Sequence, residues 1–322
     1  MAQRHAYQHI QIEELGGGVI VARFVCNELG LFGRDDAQEF MDLVDRSIRD
    51  RDVRAVVFTG THTERFISHA DLRWLQEDGG AVPPLGRRIS SAALRMAHGL
   101  GWSRFLRRVA RRTPLTGAIQ LDQLHGTLLR MGTSSTIFVV ALNGSALGLG
   151  AEISWACDLR LMADGDHFIG HPEVLLGFPP GAGGTQRLPR LVGLHRGLVA
   201  ILEGRPFPAE EALRVGAIDE IVPADRLIAR AVERAGNLAA RPVDAIAAIK
   251  RAVNVGGSLS MAEGLHLEKT EFLALLPGRV AQDIMLRYLR DTEKKGELAL
   301  YQPGGYDAAL LHGSAALDAA AR

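Results

Sequence analysis

An α/β fold built on parallel strands is predicted by three features of the chain. Two continuous apolar runs, VRAVVFTG (53–60) and TIFVVALNG (136–144), end in glycine and have the character of strands buried on both faces. Ahead of the first run, Asp35 to Ser47 carries Phe40, Met41, Leu43 and Val44 at helical spacing between acids and bases, completing a strand, helix, strand unit. Beyond residue 175 apolar residues recur at three-and-four spacing, and Gly or Pro closes most segments, which predicts helices.

In chain order, HIQIEEL (9–15) alternates apolar and polar residues, and GVIVARFV (18–25) follows a Gly-rich turn, so a β-hairpin opens the pattern. Between the two buried runs, Glu77 to Ser134 is the least legible region. It holds the cluster EDGGAVPPLG and the basic segment GWSRFLRRVARRTPL (101–115), where Trp102, Phe105, Leu106 and Val109 repeat at helical spacing among arginines. That segment reads either as a solvated helix packing on the body or another subunit, or as a grip for phosphates or an acidic partner. After TIFVVALNG comes GSALGLGAE (144–152), then AEISWACD with the apolar spacing of a short helix. A short strand, AIDEIVP (217–223), interrupts the later helices. The Gly/Ala-rich tail from Gly296 is expected to be loosely ordered.

Lys+Arg and Asp+Glu balance at 37 each, so bulk charge argues against nucleic acid or an anionic membrane as partner. Cys26 and Cys157 form no CxxC and no metal-ligand spacing, so neither a disulfide framework nor a metal site is expected, and the default setting is the reducing cytoplasm. MAQRHAYQHIQIEEL lacks the apolar centre of a signal peptide. No apolar run reaches the roughly 18 residues a membrane span needs, so a soluble, unexported protein is expected.

The chemistry concentrates in two stretches. The glycine spacing of GSALGLGAE is neither a dinucleotide fingerprint nor a phosphate-binding P-loop. A strand end, a tight turn and a helix start present free N–H groups where the helix dipole favours negative charge. Gly144, Gly148 and Gly150 would then clear the way for a ligand to reach them. The alternative is a glycine-packed corner with Glu152 as a first-turn acid. In HFIGHPEVLLGFPPGAGGTQRL (167–188), Glu173 follows Pro172 among apolar residues, and a Gly-rich loop with Gly181 opens the next helix. Two such acids near one oxyanion site make a general acid/base arrangement.

ALNGSALGLGAEISWACDLRLMAD followed by FIGHPEVLLGFPPGAGGTQRL resembles the core signature of the crotonase, or enoyl-CoA hydratase/isomerase, superfamily. The likeness extends through FISHADL (66–72) and PAEEALRVGAIDEIVP over most of residues 10–290. It implies ββα-type repeats winding a parallel-sheet spiral core over 1–205, an insertion around 77–134, C-terminal trimerisation helices over 206–295, and the tail 296–322. It further implies an acyl-CoA thioester as substrate, no cofactor beyond that CoA, and a homotrimer or dimer of trimers.

On the motif positions, the resemblance makes the Ala70 and Leu149 N–H groups the oxyanion hole. Glu152 and Glu173 become the acid/base pair that adds water to a trans-2-enoyl-CoA, as in fatty acid β-oxidation. His69, Asp71, Leu72, Gly148, Pro172 and Gly181 are expected to contact substrate. Other members isomerise the double bond or hydrolyse C–C bonds, and a CoA-binding scaffold is a further alternative. Four features depart from the pattern: Ser68-His69 stands for Ala-Gly, Leu149 for Gly, residues 23–33 lack the basic CoA-phosphate pattern, and His171 precedes Pro172-Glu173.

Overall fold

The computed structural model describes residues 7–80, 82–101 and 115–315. Most of the arginine segment, 102–114, lies outside the described residues. The hairpin of β1 (Ile10–Glu14) and β2 (Val19–Phe24) leads through β3 (Leu31–Phe32) into helix α1 (Arg34–Arg49) and β4 (Ala55–Gly60). Then come β5 (Arg65–Ile67), β6 (His69–Ala70), and the helices α2 (Leu72–Gly80), α3 (Arg87–Gly101) and α4 (Thr116–Met131). β7 (Ile137–Leu142), β8 (Ser145–Leu147), α5 (Leu149–Ala156), β9 (Leu159–Ala163) and β10 (Phe168–Gly170) follow. The remainder is α6 (Gly184–Val192), α7 (Leu194–Glu203), β11 (Phe207–Pro208), α8 (Ala209–Val215) and β12 (Glu220–Val222), then α9 (Leu227–Ala239), α10 (Val243–Asn254), α11 (Met261–Leu275), α12 (Arg279–Lys295) and α13 (Gly305–His312).

The main sheet has the order β1-β2-β4-β7-β9-β12, parallel except for the opening hairpin. A second sheet runs β11-β10-β8-β5, and β3 pairs with β6. Each turn of chain therefore adds one strand to each larger sheet: β4 then β5, β7 then β8, β9 then β10. This is a spiral core. Its smaller-sheet strands span at most three residues each, too short to show periodicity, and the sequence reading does not mark them.

The long strands read as unbroken apolar runs because both faces are covered. Ala22, Phe24, Val56, Phe58, Phe138 and Val140 enter one core, while Val19, Val21, Ala55, Val57, Ile137 and Val139 enter the other. On the second face, Ala231, Ala235 and Ala239 of α9 recur every four residues and let that helix approach the sheet closely. On the first, the rings of Phe24 and Phe58, and of Phe58 and Phe138, stack at 5.7 and 6.0 Å. Such pairs add about 0.5–1.5 kcal/mol each beyond burial.

The tail is more ordered than its composition suggests. Ala299 is fully buried in a 3-10 turn (Ala299–Tyr301), Gly305 packs on its carbonyl, and α13 follows. Small residues there permit close packing rather than loose order, and residues 316–322 lie outside the described part.

Candidate active site

At the end of β7, Asn143 accepts the Gly60 amide at 2.8 Å and donates to the Arg65 carbonyl at 3.1 Å, pinning the β4–β5 corner beneath the next turn. A Cβ at Gly144 would strike the Glu64 carbonyl, and one at Gly150 would stand 2.5 Å from the Ile67 carbonyl oxygen. These two glycines seat the corner on residues 64–67 instead of opening a path for ligand. Gly148 alone serves the site. It caps α5 at φ 53°, where side chains are disfavoured, and a Cβ would come 3.3 Å from Glu173 Oε1 and 3.4 Å from the His69 Cβ.

Leu149 is the first residue of α5, so its N–H has no acceptor within the helix. Its nearly buried side chain belongs to the core cluster, so a leucine fits here without displacing the helix start. Glu152, one turn on, is 3% exposed. Its Oε1 accepts the amides of Ala182 at 2.6 Å and Gly184 at 2.9 Å. Burial pushes its carboxyl above the usual range, against the opposing pull of His171 and the two amides.

Glu173 begins a 3-10 turn (Glu173–Leu176) behind Pro172 and is 7% exposed. Its Oε1 lies 3.2 Å from Nδ1 of His171, and its Oε2 is buried with no hydrogen-bond partner among the described residues. Leaving a carboxylate oxygen so is costly, which suits a site that takes up water or ligand.

Glu152 and Glu173 border one cavity of about 710 Å³, together with His69, Ala70, Leu72, Gly148, Leu149, Pro172 and Gly181. Nine of the ten residues singled out in the sequence thus converge. Asp71 does not join them. It borders an adjoining cavity of about 920 Å³ that shares His69 and Leu72, and it pairs with Arg73 at 2.7 Å. That hydrogen-bonded guanidinium holds the Asp71 carboxyl below the usual range.

Sequence reasoning misses a polar cluster in the wall of the cavity that the two glutamates border. Arg34 donates to Gln120 at 2.9 Å and to Asp78 at 2.7 Å, Trp74 Nε1 donates to Asp78 at 2.9 Å, and the guanidinium lies 5.7 Å from the Trp74 ring centre. It joins α1, α2 and α4, and no local motif links positions so far apart. His125 of α4 also meets the Gly181 carbonyl at 2.7 Å, and Arg187 donates to the Ala182 carbonyl at 2.9 Å, behind the loop that holds Glu152. Among the described residues no group of three or more His, Cys, Asp or Glu is arranged to hold a metal, and no helix is long and apolar enough to cross a membrane.

The chain is similar to known proteins. Residues 107–293 match the family model described as enoyl-CoA hydratase/isomerase. The enoyl-CoA isomerase/hydratase fer4 of Mycosarcoma maydis is 38% identical over 44% of the chain, a stretch that spans about half, 52%, of that protein. The short-chain-enoyl-CoA hydratase of Clostridium acetobutylicum is 26% identical over 89% of this chain and 97% of its own. The crystal structure of an enoyl-CoA hydratase from Bacillus anthracis superposes with a TM-score of 0.69, covering 90% of this chain and 98% of that one at 24% identity, which bears on the fold alone. With more than half its length matched by the family model and its strands wound as this spiral, the chain has the crotonase fold and belongs to the enoyl-CoA hydratase/isomerase family.

Proposed function

We propose that the protein is an acyl-CoA enzyme that hydrates a trans-2-enoyl-CoA to a 3-hydroxyacyl-CoA. The observation that carries this reading is the convergence of two buried carboxylates, Glu152 and Glu173, on one cavity beside the free N-terminus of α5. Water attacks C3 and gives a proton to the ionised carboxylate, while the other, protonated carboxyl delivers a proton to C2. The pair ends with the same number of protons it began with. Negative charge passing to the thioester oxygen meets the Leu149 and Ala70 N–H groups, an interaction whose loss typically costs about 2.7–4 kcal/mol of barrier. No cofactor is needed beyond the CoA of the substrate.

The acyl chain enters the mainly apolar cavity that Glu152 and Glu173 border. The adjoining one, bordered by Arg65 and Arg73, offers guanidinium groups for the phosphates of CoA. A homotrimer or dimer of trimers is supported by the apolar surface of the C-terminal helices, where Ile249, Val253, Phe272 and Leu273 are all exposed. A cytoplasmic location belongs to the same reading.

One observation favours isomerisation as a second reading. Glu152 Oε1 is engaged by two amides while Glu173 keeps an unpartnered oxygen, and a single base moving a proton between C2 and C4 would use Glu173 alone. The test is incubation with crotonyl-CoA and longer trans-2-enoyl-CoAs, following loss of conjugated absorbance and identifying the product. Hydration requires a 3-hydroxyacyl product and its loss in both Glu152→Gln and Glu173→Gln. A 3-enoyl product that survives Glu152→Gln establishes the isomerase instead. Inert wild-type protein that still binds acyl-CoA defeats both readings.

A further inference from the structure

His171 is one of two histidines by which the sequence departs from the family pattern. It is 2% exposed, with its ring edge-on to Trp155 of α5 at 4.9 Å between centroids. Nδ1 lies 3.2 Å from Oε1 of Glu173. The opposite end of the ring fills the space over Gly184, where a Cβ would collide with Nε2. The Gly184 amide in turn donates to Oε1 of Glu152 at 2.9 Å. One imidazole therefore bonds one glutamate and abuts the residue that holds the other.

Packing alone does not account for this choice. A leucine or phenylalanine would fill the seat without burying polar nitrogens, and a buried imidazole is costly unless hydrogen-bonded. An ionised carboxylate only accepts, so a hydrogen bond to one requires the proton on Nδ1. Nε2 has no hydrogen-bond partner among the described residues. The titratable groups facing it are Glu173 on its own turn and Glu152 on α5.

We propose that His171 is the positioning residue of the glutamate pair. Its Nδ1–H fixes the Glu173 carboxylate so that Oε2 stays available to the reacting water, and its seat between Trp155 and Gly184 sets the spacing to Glu152. This rests on the acid/base reading of the two glutamates.

Two variants separate the hydrogen bond from mere volume. His171→Asn keeps a donor near Nδ1, and His171→Leu keeps bulk without one. The leucine variant is expected to lose about 10- to 100-fold in kcat with KM changed less than about threefold, and the asparagine variant to recover most of the loss. Equal losses in the two, or a folded leucine variant with wild-type kcat, overturn the proposal.

A second arm needs no turnover. In protein with 15N-labelled histidines, one buried imidazole is expected in the Nδ1–H tautomer, with signals that move in Glu173→Gln. An Nε2–H tautomer, or signals indifferent to that substitution, overturns the proposal even if the leucine variant fails to fold. Inert wild-type protein defeats the hydration reading, and the imidazole signals still decide whether His171 holds Glu173.

Discussion

Oε1 of Glu152 accepts the amide of Gly184 at 2.9 Å, so the acid on α5 is aimed by the first residue of α6. The Ala182 amide shares the same oxygen. These donors favour the ionised carboxylate, burial opposes it, and burial prevails.

A stability signature follows from that balance. Because the folded-state carboxyl is raised above its unfolded value, its contribution is fully present below the ordinary carboxylate range and is lost as pH rises through the raised value. Glu152→Gln is neutral throughout. It is expected to melt above wild type at about pH 8 and to lose that advantage near about pH 4. Thermal melts at both values check this, and an offset independent of pH contradicts it.

Gly184→Ala places a methyl group where the His171 ring lies. Overpacking of this kind costs about 1–3 kcal/mol. Since the same residue supplies an amide to Glu152, turnover is expected to fall more than tenfold, about the effect of disturbing a supporting hydrogen bond. Calorimetry and steady-state kinetics on one preparation read the two effects, and full activity in the variant argues against the aiming role.

Arg34→Met cuts the clasp between α1, α2 and α4 in the cavity wall. Arg34 and Asp78 are about one-third exposed, so stability is expected to change by less than about 1 kcal/mol. Selectivity is where the change belongs. The ratio of kcat/KM for a long enoyl-CoA to that for crotonyl-CoA is expected to shift severalfold, and an unchanged ratio removes Arg34 from acyl selection.

Lys250→Met tests a buried pair away from the cavity. Lys250 Nζ lies 2.8 Å from Asp158 Oδ2 and donates to the Thr136 carbonyl at 2.9 Å, while Asp158 accepts the Phe138 amide. Removing the ammonium leaves a buried carboxylate without its cation, an expected loss of about 3–5 kcal/mol in chemical denaturation. Activity per folded molecule is expected to hold. A loss below about 1 kcal/mol shows the pair to be dispensable.

Much of the fold is legible because its long strands are covered on both faces and so appear as apolar runs, as in AVVFTG and IFVVAL. The helix of Glu152 is legible from the glycine corner before it. Illegible are β5, β8 and β10, whose pairing depends on partners dozens of residues away. The cluster of Arg34, Trp74, Asp78 and Gln120 is hidden for the same reason.

By itself the sequence determined the α/β class, the family resemblance, and both glutamates, because local periodicity and a long motif pair carry that information. Only the tertiary structure decided how the residues of the motif divide their work. Gly144 and Gly150 answer to the backbone of 64–67, Gly148 to the space around Glu173, and Asp71 to the neighbouring cavity. His171 between the two acids is likewise a product of folding. The physical reason is distance along the chain. Steric exclusion and hydrogen bonding act between atoms a few ångströms apart, and here those atoms come from separate turns of the spiral.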